Sequence, residues 1–257
     1  MVPSEGIKSQ HQLYPKEEKP FVVNVLNVLK PAAGEKTLLN LDEVETILHE
    51  LGHGLHTLFS KVKYASHTGT HTPRDFVEVP STFMENFLYE REFLDMVGKH
   101  FVSGEKIPND LIEKIVKARN NLAGTGLFRQ VNYSLLDMYW HGTNGVNIQD
   151  IKKLEDEVFY RNAYDIENNN SLVSTNFSHI FEGGYAAGYY SYKWSDAIQA
   201  NILNKFKEAG MFNQENAKRY RELLLSKGGS IDHLENLMLY LEKELDPDAL
   251  LKLYNLK

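Results

Sequence analysis

The sequence contains no cysteine among its 257 residues. This absence excludes disulfide bonds, cysteine-ligated zinc, iron–sulfur clusters and thiol catalysis. Long apolar runs are also missing, because no stretch approaches the roughly 18 apolar residues that a membrane-spanning helix needs. Residues 1–19 lack the apolar segment of a secretory signal peptide. We therefore expect a soluble, cytoplasmic protein that does not associate with a membrane.

Basic charge is not in excess either. The chain has 28 Lys and Arg residues against 35 Asp and Glu residues, a formal net charge of −7. This balance argues against a general nucleic-acid binder. Hydrophobic residues make up 42% of the chain and charged residues 25%, which is an ordinary globular composition. The length is sufficient for a sizeable core, in one large domain or two small ones.

Hydrophobic patterning predicts a mainly α fold (α+β with a minor strand component). A polar arm is predicted over residues 1–20 and a strand over 21–29. Asn40 and Glu43 predict a capping box that starts a helix from Leu41 to about Ser60. Further helices are predicted over 72–101, starting at Thr72 and kinked or divided at Pro80, and over 110–141, 148–163, 185–208, 214–226, 231–244 and 247–254.

The strongest chemical signal is His49-Glu50-Leu51-Gly52-His53. Positions i and i+4 of a helix share one face, so both imidazoles can reach the same cation. Glu50 can reach a water molecule beside that cation. This arrangement is typical of zinc peptidases, in which the histidines bind zinc and the glutamate is the general base. The alternative is a surface helix with incidental histidines.

The remaining zinc ligand should come from another element. His56 shares the face of His49, but the rise between them is about 10.5 Å, too long for one tetrahedral ion. We expect His56 to be structural or to support a ligand. Glu78 is the candidate ligand, because a carboxylate in an apolar patch is costly unless it is paired or bound to a cation. Asp75 and Glu85 remain alternatives for orienting a ligand imidazole, or they cap helices.

Two glycines interrupt the predicted zinc helix. Gly52 and Gly54 each cost roughly 1 kcal/mol relative to alanine in a helix interior. Their presence favours a close approach of another backbone or of substrate at this helix, and plain tolerance of glycine is the alternative.

An aromatic segment forms a further candidate site. Tyr185, Tyr189 and Tyr192 follow Gly183-Gly184 at i, i+4 and i+7 of the predicted helix, which places them on one face. Such a stripe is usually core. Together with His179, however, these phenols are suitable hydrogen-bond donors for the oxyanion of amide hydrolysis. We favour this interpretation because the histidine–glutamate motif is present.

These motifs resemble those of the M3 family of zinc metallopeptidases, which includes thimet oligopeptidase, oligopeptidase A and peptidyl-dipeptidase Dcp. The resemblance covers the chain from about residue 21 onwards. It rests on three blocks in the same order: Leu48–Gly54, Thr72–Ser81 and His179–Trp194. The Thr-Pro-Arg-Asp-Phe-Val-Glu sequence of the second block is most similar to the Dcp branch.

The resemblance implies a mainly helical zincin fold with a deep channel for short peptides. The catalytic domain would occupy residues 21–257, after the arm, and would correspond to the C-terminal portion of a longer architecture. One Zn2+ per chain would be the cofactor, and peptides would be the substrates. By motif position, His49, His53 and Glu78 would bind zinc, Glu50 would activate water, His179 and Tyr192 would stabilise the transition state, and Tyr185 and Tyr189 would bind substrate.

The resemblance also leaves alternatives open. Family members carry a long N-terminal part that forms one wall of the channel, so we expect self-association or a partner portion to cover the corresponding surface. Peptidyl-dipeptidase and oligopeptidase activity both fit, and a non-catalytic zinc- or peptide-binding fragment is the competing hypothesis. Arg74, Arg129 and Lys193 are equal candidates for binding the C-terminal carboxylate of a substrate.

Overall fold

The computed structural model describes residues 5–8, 19–142, 148–160, 172–182 and 184–257. Within these ranges the fold is mainly α with a minor strand component, so the predicted fold class is confirmed. The strands are β1 (Glu5–Lys8) and β2 (Phe21–Val23); the helices are α1 (Leu41–Phe59), α2 (Arg74–Val77), α3 (Val79–Glu85), α4 (Arg91–Val97), α5 (Asn109–Arg119), α6 (Ala123–His141), α7 (Ile151–Tyr160), α8 (Ser191–Ala209), α9 (Gln214–Leu223), α10 (His233–Leu241) and α11 (Ala249–Leu253). None of the helices in the described ranges combines the length and the apolar composition that a membrane crossing requires.

The strands form a small antiparallel pair. Glu5 lies opposite Val23, so the predicted arm contributes a short strand. The strand predicted over 21–29 is too long, since it ends at Val23. Val25 and Leu29 beyond it are 51% and 85% exposed, and β-branched composition without a buried face does not extend a sheet. Most of the predicted arm, residues 161–163 and Gly183 lie outside the described residues.

The helix predicted over 72–101 is divided into short segments. Pro80 lies in the first turn of α3, so it separates two helices instead of kinking one. A 3₁₀ turn over Asn86–Tyr89 then leads to α4. The prediction that the helix starts with Thr72 as its N-cap was wrong, because Pro73 occupies the N-cap position of α2 and makes no side-chain hydrogen bond there.

The helix predicted over 110–141 is also two helices, α5 and α6. Leu122 separates them with a φ of 56°, in the left-handed region that breaks a right-handed helix. Apolar periodicity continues across this break, which explains why the pattern predicts a single helix.

The chain divides into two compact units, of which the first comprises Met1–Arg119, Ser195–Asn255 and Lys257. A large core cluster joins residues of α2, α3, α8, α9 and α10, among them Phe76, Phe83, Leu203, Phe206 and Leu237. A smaller cluster of Leu48, Leu88, Leu94 and Ile112 packs against the buried side of α1. The segment His49–His53 therefore lies on a helix with a well-packed face.

The second unit comprises Asn120–Trp194 and Leu256. Leu136, Val158 and Phe159 of α6 and α7 form its core cluster. The buried carboxylate of Glu155 accepts hydrogen bonds from the backbone N–H groups of Val173 (3.0 Å) and Ser174 (2.6 Å). These bonds fix the segment after residue 172 to α7.

Candidate active site

Helix α1 starts at the predicted capping box. Asn40 Oδ1 accepts a hydrogen bond from the Glu43 N–H at 2.9 Å, and Glu43 Oε2 accepts one from the Asn40 N–H at 2.8 Å. The cap sets the start of the helix, and the motif side chains then face its buried side. His49, Glu50 and His53 are 7%, 2% and 9% exposed. The two imidazole rings lie 4.9 Å apart, edge to face.

Gly52 allows α3 to approach this helix. A methyl group at Gly52 would lie 2.5 Å from the Pro80 carbonyl oxygen and 2.5 Å from Ser81 Cα. The backbones of α1 and α3 are therefore in direct contact, as the close-approach interpretation of Gly52 predicts. A methyl group at Gly54 would meet Asn24 and Val22 at 3.6 Å, which is ordinary contact, so Gly54 has no such requirement.

The contact at Gly52 brings Glu78, the residue before α3, beside the two histidines. Glu78 Oε2 lies 3.3 Å from His49 Nε2 and 3.2 Å from His53 Nε2. It also accepts a hydrogen bond from the buried Ser81 hydroxyl at 2.9 Å, which fixes the carboxylate. Glu78 itself is 2% exposed. A buried carboxylate thus faces two imidazole nitrogens at close range.

The geometry fits a zinc-like cation. In a tetrahedral site with bonds of about 2.0–2.1 Å, neighbouring ligand atoms lie about 3.3 Å apart. The two distances from Glu78 match this spacing, and the three donor atoms lie within 4.8 Å of one another. Within the described ranges, His49, His53 and Glu78 form the one such group. Two imidazoles and a carboxylate are a donor set of catalytic zinc sites, where the fourth position stays open.

Electrostatics around the histidines favour a cation. Glu85 Oε1 accepts a hydrogen bond from His49 Nδ1 at 2.6 Å. Burial lowers the pKa of His49, but hydrogen bonds to Glu78 and Glu85 outweigh it and raise the pKa to about 10. Burial raises the pKa of Glu78, yet the hydrogen bonds from His49 and His53 hold it well below its usual range. Glu85 therefore orients the His49 imidazole.

His56 lies outside this group. Its ring is fully buried and packs edge-on against Phe76 at 6.2 Å. Burial, followed by the nearby charges of His233 and His53, lowers its pKa to about 3. The ring is therefore neutral at physiological pH and has a structural role in the core.

In the second unit, the predicted tyrosine stripe is not helical. Helix α8 begins at Ser191, and Tyr185 and Tyr189 precede it in a turn. Ala187 within this turn has a φ of 53°, which is incompatible with a helix. The helical i, i+4, i+7 stripe was therefore wrong.

The aromatic side chains nevertheless come together. Tyr185 stacks on Tyr192 with ring centroids 5.2 Å apart, and Tyr189 lies 5.2 Å from Tyr192. The His179 ring lies 5.5 Å from Tyr185 and 6.1 Å from both other rings. Tyr192 Oη and His179 Nε2 are within hydrogen-bond distance at 3.3 Å. We call these four residues the tyrosine cluster.

Sequence reasoning missed Asp137, the residue that holds the turn. Asp137 lies on α6 and is 0% exposed. Its carboxylate accepts hydrogen bonds from the Ala187 N–H (2.9 Å), the Tyr189 N–H (2.8 Å) and His141 Nδ1 (2.7 Å). The sequence signal that could have indicated its role is its position on the apolar face of the predicted helix, one turn before His141.

Comparison with known protein families identifies the family of this chain. A family model described as Peptidase family M3 matches residues 4–256. The chain belongs to peptidase family M3. The resemblance seen in the motifs is thereby confirmed.

Several M3 relatives are similar over most of the chain. Oligopeptidase A of Salmonella typhimurium is 35% identical over 249 residues, covering 93% of this chain and 36% of the relative. Dipeptidyl carboxypeptidase of the same organism is 39% identical over 223 residues, covering 86% and 33%. Thimet-like oligopeptidase of Dictyostelium discoideum is 31% identical, covering 98% and 39%. The chain thus spans about a third of the length of the curated relatives it matches.

Proposed function

We propose that this chain provides a zinc site that hydrolyses peptide bonds in short peptides. The observation that carries the proposal is the convergence of His49 Nε2, His53 Nε2 and Glu78 Oε2 at the spacing of zinc ligands. Membership of peptidase family M3 supports a peptide substrate, as do the names of the relatives.

One zinc ion per chain would be held by His49, His53 and Glu78. The chemistry that zinc supplies when bound is polarisation of the scissile carbonyl and a pKa of about 7 for a water molecule. Glu50 takes the proton from the attacking water and later passes it to the leaving amine. Glu50 is 2% exposed and lies next to His49 in α1, so its carboxylate is shielded from bulk water.

The tyrosine cluster supplies hydrogen-bond donors. Tyr192 and His179 would donate to the oxyanion that forms during hydrolysis, and Tyr185 and Tyr189 would bind the peptide. Burial raises the pKa of Tyr189. Its phenol therefore stays protonated at neutral pH, as a donor must.

The test is mass spectrometry of a short-peptide mixture incubated with the zinc-loaded chain. Glu50→Gln is the matched control, because it keeps the shape of the side chain and all three metal ligands while removing the base. We expect cleavage by the wild type and none by Glu50→Gln, with zinc content equal in both. Dipeptides released from C-termini would identify a peptidyl-dipeptidase, and internal cuts an oligopeptidase.

The other outcomes are equally informative. Equal cleavage by Glu50→Gln would contradict the role of Glu50. Intact peptides in the presence of bound zinc would support the second candidate, a zinc- or peptide-binding portion without turnover.

A further inference from the structure

The second unit contains a fully buried carboxylate, that of Asp137. It is 0% exposed, yet both of its oxygens accept hydrogen bonds. Oδ1 accepts from the Ala187 N–H and from His141 Nδ1, and Oδ2 accepts from the Tyr189 N–H. A buried carboxylate is costly unless such donors surround it. The site is therefore built to hold this charge against one particular turn.

The turn itself requires an external anchor. Ala187 has a φ of 53°, and a residue with a Cβ atom adopts this conformation only at an energetic cost. Strained backbone of this kind persists where surrounding contacts over-determine it. Asp137 accepts hydrogen bonds from the N–H of Ala187 itself and from the N–H of Tyr189, two residues later. One carboxylate therefore fixes the distance between these two backbone groups of the strained segment.

We propose that Asp137 is a positioning residue for the tyrosine cluster. It fixes the turn that carries Tyr185 and Tyr189 and that leads directly into Tyr192. The stacked Tyr185–Tyr192 pair and the Tyr192–His179 contact depend on this turn. The inference rests on the proposed function, because the cluster supplies the donors for hydrolysis there.

Asparagine at position 137 cannot reproduce these contacts. An amide side chain has one oxygen, so the other position carries an NH₂ group. If the oxygen takes the place of Oδ1, the NH₂ group faces the Tyr189 N–H; if it takes the place of Oδ2, the NH₂ group faces the Ala187 N–H and His141. Either orientation opposes donor to donor, so Asp137→Asn releases the turn with almost no change in volume.

The second unit contains its own reference for the experiment. Glu155 is also a buried carboxylate that accepts two backbone N–H groups, those of Val173 and Ser174. These amides test whether a variant loosens the whole unit or only the turn. Leu136→Ala is the matched control for stability, because Leu136 neighbours Asp137 on α6 and is likewise 0% exposed.

The primary readout is amide hydrogen exchange, followed residue by residue by NMR. In Asp137→Asn we expect the Ala187 and Tyr189 amides to exchange at least about tenfold faster, while those of Val173 and Ser174 stay unchanged. The kcat for peptide cleavage should fall by about 10- to 100-fold, and KM should rise because the turn also carries the peptide-binding Tyr185 and Tyr189, while zinc content stays unchanged. Leu136→Ala should lower the melting temperature and leave kcat within about twofold.

Unchanged exchange at Ala187 and Tyr189 in Asp137→Asn would overturn the proposal, and so would an unchanged kcat. If the wild-type chain cleaves no peptide, the proposed function fails, and the exchange measurement still decides whether Asp137 holds the turn. If Asp137→Asn does not fold, His141→Leu replaces it. That variant removes one of the three hydrogen bonds, so we expect faster exchange at the same two amides by a smaller factor, and unchanged exchange there would overturn the proposal.

Discussion

The candidate metal site of the first unit (His49, His53 and Glu78) and the tyrosine cluster of the second use buried carboxylates in opposite ways. Glu78 faces two imidazole nitrogens, and its charge raises the pKa of His49 instead of being neutralised by backbone donors. Asp137 is satisfied by two backbone N–H groups and an imidazole. A carboxylate that faces side-chain ligands prepares a site for a cation, whereas one that faces backbone amides determines conformation.

The largest effect that separates the two roles is expected for Glu78→Ala. Loss of a direct ligand should weaken zinc binding by more than about 100-fold, because loss of a partner behind a ligand already costs about 10- to 100-fold. Glu85→Ala, which removes only the support of His49, should fall within that smaller range. Competition with a chromogenic chelator measures both variants.

Glu155→Gln is the control for these measurements, since it alters a buried carboxylate that anchors backbone amides in the second unit. Its zinc affinity should equal that of the wild type. Unchanged zinc affinity in Glu78→Ala would remove Glu78 from the ligand set.

The next effect is expected for Gly52→Ala. The added methyl group meets the backbone of Pro80 and Ser81 at 2.5 Å, so α1 and α3 must separate. We expect the free energy of unfolding to fall by about 3 kcal/mol, together with weaker zinc binding. Gly54→Ala is the matched control, because its methyl group meets only ordinary contacts at 3.6 Å. It should gain up to about 1 kcal/mol from helix propensity.

Urea denaturation measures the free energy of unfolding of both variants. It thereby separates the steric cost of the added methyl group from the gain in helix propensity. Equal stability of Gly52→Ala and Gly54→Ala would contradict the backbone contact between α1 and α3.

The smallest effect is expected for Ala187→Gly. Glycine adopts a positive φ without the cost of about 1–2 kcal/mol that a Cβ atom incurs, but it loses about 0.4–1 kcal/mol more through the unfolded state. The net gain in the free energy of unfolding should lie between about 0 and 1.6 kcal/mol, visible as a slightly higher melting temperature. Ala186→Gly, at the preceding residue, whose φ is not positive, should lower the melting temperature. A lower melting temperature for Ala187→Gly would show that the turn is not strained.

Local patterns predicted that the side chains of His49, His53 and Glu78 come together. The capping box at Asn40 and the i, i+4 spacing of His49 and His53 are encoded within one helix. Glu78 stood out as an acid in an apolar patch, although the contact that brings it to the histidines depends on Gly52 and Pro80, which lie 28 residues apart. Choosing Glu85 over Asp75 required the structure, because both acids fitted the spacing.

The tyrosine cluster could be predicted in composition but not in conformation. The spacing of Tyr185, Tyr189 and Tyr192 imitates a helix, while the real turn is imposed by Asp137, which is 50 residues away from Ala187. Periodicity reports only local preference, so a hydrogen bond of this range leaves no trace in it. The helix break at Leu122 was not predicted for the same reason, since the apolar pattern continues through it.

Zinc titration of peptide cleavage tests the central claim most directly. The chain is stripped with a chelator, dialysed, and assayed for cleavage of a short peptide as zinc is added back. We predict no turnover without metal, a linear rise with added zinc and a plateau at one equivalent per chain. Turnover that persists in the stripped chain, or that never appears when zinc is bound, would contradict a catalytic zinc site at His49, His53 and Glu78.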